Sequence, residues 1–209
     1  MVLTKPYLNT AFSKLADEEQ IERAAKALEK NGIRVVRAEN SEEARKKLLD
    51  LLPEGAEVFT STSRTLDKID VIPEINAKYD SVRVKLATMD PKTQNREMQK
   101  LGATPEYMVG SVHAVTEDGK VVVASNTGSQ LTGYAAGAEH VIWVVGAQKI
   151  VRDLDEAMQR IEEYSYPLEN ERAQQAYGIN SNISKLLIIN KEVNPRRITM
   201  IIVNENLGF

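Results

Sequence analysis

The sequence predicts an α/β fold with a mostly parallel sheet, and three observations support this prediction. Residues 17–59 alternate between helix-like and strand-like segments, which is typical of parallel strands joined by crossover helices. The uninterrupted apolar run at 141–145, VIWVV, is typical of a strand that is buried on both faces. Asp118-Gly119 separates two further strand-like runs and is a strong hairpin signal, so a hairpin is expected near residues 109–126.

The elements before the hairpin follow from the spacing of apolar residues and from breaker residues. Apolar residues recur at helical spacing between Asp17 and Lys30, and Gly32 suits the C-terminal cap of that helix. The predicted elements are helices over 17–30 and 41–52, strands over 33–37 and at 58–59, and a polar helical excursion over 71–102 that is interrupted at Pro73 and Pro91.

The stretch from Tyr107 to Ile150 holds the hairpin and the most distinctive polar residues. The prediction is a strand, a two-residue type I′ turn and a second strand, over 109–117, 118–119 and 120–126. That turn places His113 opposite Ala124 and Ser111 opposite Asn126. Because cross-strand partners share a face, Ser111, His113 and Asn126 are expected to cluster at the end of the hairpin away from the turn.

The sequence after residue 140 predicts further helices and strands, which belong to the same domain. These elements are a strand over 141–145, helices over 153–164 and 167–177, and strands over 186–189 and 198–203. No linker or internal repeat divides the 209 residues. We therefore predict a single α/β domain over 1–209, with an N-terminal arm over 1–16.

Composition excludes several classes of function. The net charge of −3 gives no electrostatic footprint for nucleic acid. No apolar segment approaches the ~20 residues of a membrane helix, and the N-terminus lacks a signal-peptide core, so a cytoplasmic protein is expected. The chain has no cysteine, so it can supply neither a thiolate nucleophile nor the usual ligands of an iron–sulfur cluster. With two histidines only, no metal site and no cofactor is predicted in this chain.

Two polar loops form the candidate binding site. A hydroxyl-rich loop at 60–65 follows a strand, where open α/β sheets bind ligands, although its hydroxyls could instead cap the next helix. The loop at 126–130 leaves another strand and is expected to open a helix whose free N–H groups favour anions. Gly128 would let a ligand approach the backbone, or is a plain turn glycine. The predicted ligand-binding residues are Ser61, Ser63, Arg64, Thr65, Ser111, Asn126, Thr127, Gly128, Ser129 and Gln130.

Sequence motifs argue against two kinds of nucleotide-binding site and leave one candidate catalytic residue. No G-x-G-x-x-G occurs, so the dinucleotide-binding fingerprint is absent. Gly128 and Gly133 have P-loop spacing, but Tyr134-Ala135 stands where Lys-Ser/Thr is required, which argues against a nucleoside triphosphatase. His113 is the candidate catalytic acid or base. The alternative is a structural histidine whose hydrogen bonds are satisfied within its strand.

Four stretches together resemble the LUD domain family, the lactate-utilisation or LutC/YkgG-like family. They are GSVHAVTEDGKVVVASNTGSQLTGYAAGAEHVIWVVGAQKIVRDLDEA, NERAQQAYGINSNISKLLIINKE, RRITMIIVNENLGF and EGAEVFTSTSRTLDKI. The resemblance covers nearly the whole chain. It implies the Rossmann-like three-layer α/β/α fold of the NagB/RpiA/CoA-transferase-like superfamily.

The resemblance also implies a set of functions. Some family members act beside iron–sulfur oxidoreductase subunits in oxidising L-lactate to pyruvate, and the absence of cysteine fits a non-cluster accessory subunit that binds a small anion. One alternative is a stand-alone acyl/CoA or phosphosugar transferase or isomerase of the same fold. Another is a regulatory ligand-binding module without catalysis. Whether the chain forms a homo-oligomer stays open.

Overall fold

A computed structural model of the chain describes residues 7–209. Positions 1–6 of the predicted N-terminal arm therefore lie outside the described residues. Within the rest of the arm, Thr10–Ser13 form a 3-10 helix whose preceding residue, Asn9, accepts a hydrogen bond from the Ala11 amide through its side chain.

Strands from all parts of the chain build two sheets. In chain order the strands are β1 Arg34–Ala38, β2 Glu57–Thr60, β3 Asp80–Ser81, β4 Tyr107–Gly110, β5 Ala114–Thr116, β6 Val121–Ser125, β7 His140–Gly146, β8 Ile150–Val151, β9 Lys185–Ile189 and β10 Ile198–Val203. The central sheet has the order β1-β10-β7-β4-β2-β3, and all of its strands are parallel. The second sheet has the order β8-β5-β6-β9 and contains the antiparallel hairpin of β5 and β6.

Helices cover both faces of the central sheet. In chain order they are α1 Glu18–Lys30, α2 Ser41–Asp50, α3 Arg64–Lys68, α4 Ile72–Lys78, α5 Val82–Ala87, α6 Asn95–Ala103, α7 Leu154–Arg160 and α8 Tyr166–Tyr177. Single π-helical turns occur at Gly133–Gly137 and Ile161–Ser165, and a 3-10 turn at Ala147–Lys149. Among the helices of residues 7–209, none has the length and apolar character that crossing a bilayer requires.

Alternate residues of β7 show how the layers pack. Val141, Trp143 and Val145 face a core that also contains α1 and the second sheet. Ile142 and Val144 face the opposite core, which contains buried residues of α2, α3 and α4. The predicted buried strand and the three-layer α/β/α class are therefore confirmed.

The first helix shows how the sequence specifies a boundary. The Asp17 side chain accepts a hydrogen bond from the Gln20 amide, and the Gln20 side chain accepts one from the Asp17 amide, which is a capping box. Ile21 and Leu28 are fully buried on its inner face. After the helix, Gly32 has a φ of +84°, a conformation that suits glycine.

The predicted continuous strand over 109–117 is wrong, because this segment contributes to two different sheets. The chain leaves the central sheet after Gly110, and Ala114–Thr116 form β5 of the second sheet. A side chain at Gly110 would overlap the Tyr134 hydroxyl and Ser61 Oγ, so only glycine fits where the chain changes sheets. The residues that cross between the sheets are 111–113, which include two predicted site residues.

The predicted register of the hairpin is also wrong, by one residue. Val115 lies opposite Val121, not Val122. Thr116 and Lys120 close a three-residue loop, in which the Gly119 amide donates to the Thr116 carbonyl at 2.9 Å. Gly119 has a φ of +81° and Asp118 does not have a positive φ, whereas a type I′ turn needs positive φ at both central residues.

The polar excursion over 71–102 contains more than helices. It holds α4, the short edge strand β3, α5 and α6. Its last helix begins at Asn95, after the predicted interruption at Pro91. Arg83 of α5 contacts the end of β2 and the loop that follows it.

Candidate functional site

A cavity of about 660 Å³ lies where several strands end. Its walls include the residues that follow β2, the crossover that follows β4, and the loop that follows β6. Residues of α5 and α8 form further parts of the wall. Its volume lies within the range of ligand-binding pockets, roughly 300–1,000 Å³.

Both predicted loops and the crossover contribute side chains to this one cavity. The sequence-predicted residues that line it are Ser61, Ser63, Arg64, Thr65, Ser111, His113, Asn126, Thr127, Ser129 and Gln130. Gly128 is not part of the lining. Its φ is +86° and its amide donates to Ser125 Oγ at 2.9 Å, so it shapes the loop rather than the cavity wall.

Several polar groups of the loop after β2 are already bound within the protein. Ser63 Oγ accepts a hydrogen bond from the Leu66 amide and caps α3, as the alternative interpretation of this loop expects. Arg64 forms an ion pair with Asp67 at 2.9 Å. Ser61 Oγ lies 3.0 Å from the hydroxyl of Tyr134, whose pKa burial raises to about 12.

The amides of the loop after β6 are also largely occupied. The Gly128 amide bonds to a side chain, and the Ser129 amide donates to Thr127 Oγ1 at 3.4 Å. The Leu131 amide donates to the Gly128 carbonyl at 3.0 Å. The helical segment that follows is short and passes at once into the π turn Gly133–Gly137. Side chains of this loop, rather than a helix start, are therefore the groups that the cavity receives.

Lys149 is the central residue that the sequence reasoning missed. It follows β7 in the 3-10 turn and is 2% exposed. Its Nζ lies 3.0 Å from Thr65 Oγ1, 3.1 Å from Ser111 Oγ and 3.1 Å from the Val112 carbonyl oxygen. Burial, followed by the neighbouring Arg160 charge, places the pKa of Lys149 well below its usual value. A lysine inside the apolar run from β7 to β8 was the available sequence signal.

His113 is neutral in this environment. Its Nδ1 accepts a hydrogen bond from the Ala124 amide at 3.1 Å, so the proton of the neutral ring is on Nε2. Burial, and then the charges of Lys149 and Arg160, lower the pKa of His113 to about 3. At neutral pH the ring can therefore offer one N–H donor.

Arg160 of α7 is a second fully buried basic residue. Its guanidinium donates to the carbonyls of Gln148 and His113, at 3.3 and 2.5 Å, and to Ser165 Oγ at 2.9 Å. Its Nη2 finds no hydrogen-bond partner within the described part of the chain. Burial lowers the pKa of Arg160 to about 10, so the side chain remains charged at neutral pH.

Arg83 of α5 reaches the cavity from the side of the central sheet. Its guanidinium donates to the Thr60 carbonyl at 2.6 Å and to the Thr62 hydroxyl at 3.4 Å. Burial lowers the pKa of Arg83. Nothing in its local sequence, VRVKLA, distinguishes it from a surface arginine.

The charges around the cavity do not balance. Arg172 in the wall is paired with Glu169 at 2.6 Å. Within residues 7–209, by contrast, Lys149, Arg160 and Arg83 have no carboxylate within 4.0 Å. No three His, Asp or Glu side chains of the same residues converge to hold a metal ion. The cavity is thus lined by hydroxyls and amides and has an excess of positive charge.

Comparisons with known proteins show the family of the chain and agree with its fold. The model of the LUD domain matches residues 21–206, so this chain belongs to the LUD domain family. Among solved structures, it is similar to a DUF162 family protein from Deinococcus radiodurans, with a TM-score of 0.58 and 11% sequence identity. That similarity covers 91% of this chain and 100% of the other, and it supports the fold alone. No curated protein matches the sequence.

Proposed function

We propose that this protein binds a small anionic ligand in the cavity, as a non-cluster subunit of L-lactate oxidation to pyruvate. The observation that carries the proposal is Arg83, a cationic residue in the cavity wall that lacks a carboxylate partner within residues 7–209. A second cation, Arg160, donates a hydrogen bond to the carbonyl of His113, which lines the cavity.

The energetic reason is the cost of uncompensated buried charge. Desolvating a cation is expensive unless an anion or several hydrogen bonds compensate it. A ligand carboxylate or phosphate would supply that compensation in a site of low effective dielectric. Arg83 suits this role because a guanidinium presents a planar pair of donors that matches both groups. Lactate and pyruvate each carry such a carboxylate.

The partner class follows from the redox chemistry. Oxidising lactate removes two electrons, which need an acceptor. This chain has no cysteine with which to hold the usual iron–sulfur cluster, so the proposal assigns the cluster to partner subunits. Membership of the LUD domain family supports that assignment.

Calorimetric titration of the purified chain tests the proposal. The ligands are pyruvate, L-lactate and inorganic phosphate, each at low and at high ionic strength. We expect at least one to bind, more weakly at high salt, and Arg83→Gln to weaken binding about tenfold or more because it removes a charge-assisted contact. Arg34→Gln is the matched control, since Arg34 is exposed and does not line the cavity. Absence of binding of all three ligands, or equal binding by Arg83→Gln, would contradict the proposal.

A further inference from the structure

Ser111 stands between the buried Lys149 and the cavity. It lies on the crossover between the two sheets, is half-buried and contributes to the cavity wall. Its Oγ is 3.1 Å from Lys149 Nζ, which is a hydrogen-bonding distance. A serine hydroxyl open to a cavity and backed by a lysine is the arrangement of a nucleophile with its base.

The three hydrogen-bond partners of Lys149 Nζ fit an ammonium, which donates to all three, and they also fit a neutral amine. The Thr65 hydroxyl donates its own proton to the Leu207 carbonyl at 3.0 Å, so towards Lys149 it accepts. The Val112 carbonyl can only accept. A neutral amine donates two protons, one to each of these oxygens, and its lone pair is then left for the hydroxyl proton of Ser111. The other acceptor near Ser111, the Val112 carbonyl, is more distant at 3.5 Å.

The surroundings favour that neutral form. The titratable and charged groups that face Lys149 are Arg160, from α7, and His113, from the crossover. Arg160 remains charged and opposes a second positive charge, while His113 is neutral. Burial and Arg160 together lower the pKa of Lys149. A desolvated lysine beside another cation is a recognised way to obtain a base at neutral pH.

We propose that Ser111 is a catalytic nucleophile, that Lys149 is its general base, and that the cavity takes an activated acyl compound, an ester or thioester, with an anionic group. The anionic part of the substrate rests on the proposed function, whereas the nucleophile and its base do not depend on it.

The reaction balances without a further reagent besides water. Ser111 Oγ attacks the acyl carbon as its proton passes to Lys149 Nζ. The bond between the acyl carbon and the alcohol or thiol breaks, and Lys149 returns the proton to that leaving group. Lys149 then removes a proton from water, which attacks the acyl-serine ester. The products are the free acid, the alcohol or thiol, and the regenerated serine.

A single introduced thiol measures the proton coupling directly. The chain has no cysteine, so Ser111→Cys carries one thiol and Ser129→Cys, on the exposed side of the same cavity, carries one as a matched control. The rate of alkylation by iodoacetamide is measured against pH. If Lys149 accepts the proton, the midpoint for Ser111→Cys lies at least about one pH unit below that for Ser129→Cys. Equal midpoints for the two cysteine variants overturn the proposal. This comparison keeps Lys149 in place, so it does not depend on whether a Lys149→Met variant folds.

Acylation of the unmodified protein supplies the second readout. The probes are 4-nitrophenyl acetate, which is neutral, and mono(4-nitrophenyl) succinate, which is anionic. We expect release of 4-nitrophenolate and an acyl adduct by mass spectrometry, both lost in Ser111→Ala and kept in Ser13→Ala, at a serine that does not line the cavity. A preference for the succinate ester supports both proposals, and equal rates support the nucleophile while contradicting the anion site. No adduct with either ester, or an adduct that Ser111→Ala retains, overturns the nucleophile.

Discussion

Replacing Trp143 by alanine would remove the largest side chain in the core of the central sheet. Trp143 is completely buried on β7, and its ring packs edge to face against Tyr134 with the ring centroids 5.3 Å apart. Truncating a buried tryptophan costs roughly 3–5 kcal/mol, and the aromatic pair accounts for about 0.5–1.5 kcal/mol of such a loss. The buried indole N–H finds no hydrogen-bond acceptor within residues 7–209, so losing it offsets part of the cost. We expect a destabilisation of about 3 kcal/mol.

Urea denaturation followed by far-UV circular dichroism measures this loss. Fluorescence is unsuitable because Trp143 is the only tryptophan of the chain. Trp143→Phe keeps an aromatic ring and should lose less than about 1.5 kcal/mol. Val193→Ala, at a side chain that is 85% exposed, should stay within about 0.5 kcal/mol of the wild type. A Trp143→Ala free energy of unfolding equal to that of the wild type would refute the reasoning.

Three further predictions concern the crossover and the site. Gly110→Ala should lower the free energy of unfolding by about 1–3 kcal/mol, because the new methyl group overlaps the Tyr134 hydroxyl, and an unchanged calorimetric midpoint would contradict this. Gly128→Val should cost about 1–2 kcal/mol, since φ is +86° and the added carbon lies 2.8 Å from Lys185 Cδ, whereas Gly128→Asn should cost less. The pKa of His113 is lower in the folded chain than its ordinary 6.5, so the unfolded state binds more protons below pH 6.5 and stability falls there. Between pH 6.5 and 5 the wild type should lose about 1.6 kcal/mol more than His113→Gln, and parallel stability curves would show that His113 titrates normally.

Local patterns were sufficient to predict much of the fold. The apolar spacing of α1 and the apolar continuity of β7 depend on each element alone, so the sequence displays them directly. The loop after β2 lines the cavity as expected for the end of a strand in a parallel α/β sheet. The loop after β6 lines the same cavity although β6 belongs to the second sheet, so that rule does not explain why the two loops meet.

The hairpin shows where local patterns mislead. Alternation continues through the segment 109–117, but periodicity does not reveal that the chain changes sheets after Gly110. Asp118-Gly119 marked the turn, yet a three-residue loop and a two-residue loop share that dipeptide. The difference moves the register by one residue, which the turn residues alone do not decide.

The cationic side of the site was missed for a different reason. Arg83 lies far from Lys149 and Arg160 in sequence, and the packing of α5, the turn after β7, and α7 brings the three residues to one region. Burial is what gives Lys149 its altered pKa, and burial of a single lysine is a tertiary property. Arg160 lies on the apolar face of α7, next to the buried Ala157 and Ile161, a position that is unusual for a charged residue.

The central claim, that the cavity binds a small anion at its cationic residues, is tested most directly by a crystal structure with pyruvate or phosphate bound at saturating concentration. We predict density for the anion inside the cavity, within hydrogen-bonding distance of the Arg83 guanidinium, and its loss in Arg83→Gln crystals grown under the same conditions. Density for the anion only outside the cavity, or an unchanged occupancy in Arg83→Gln, would contradict the claim.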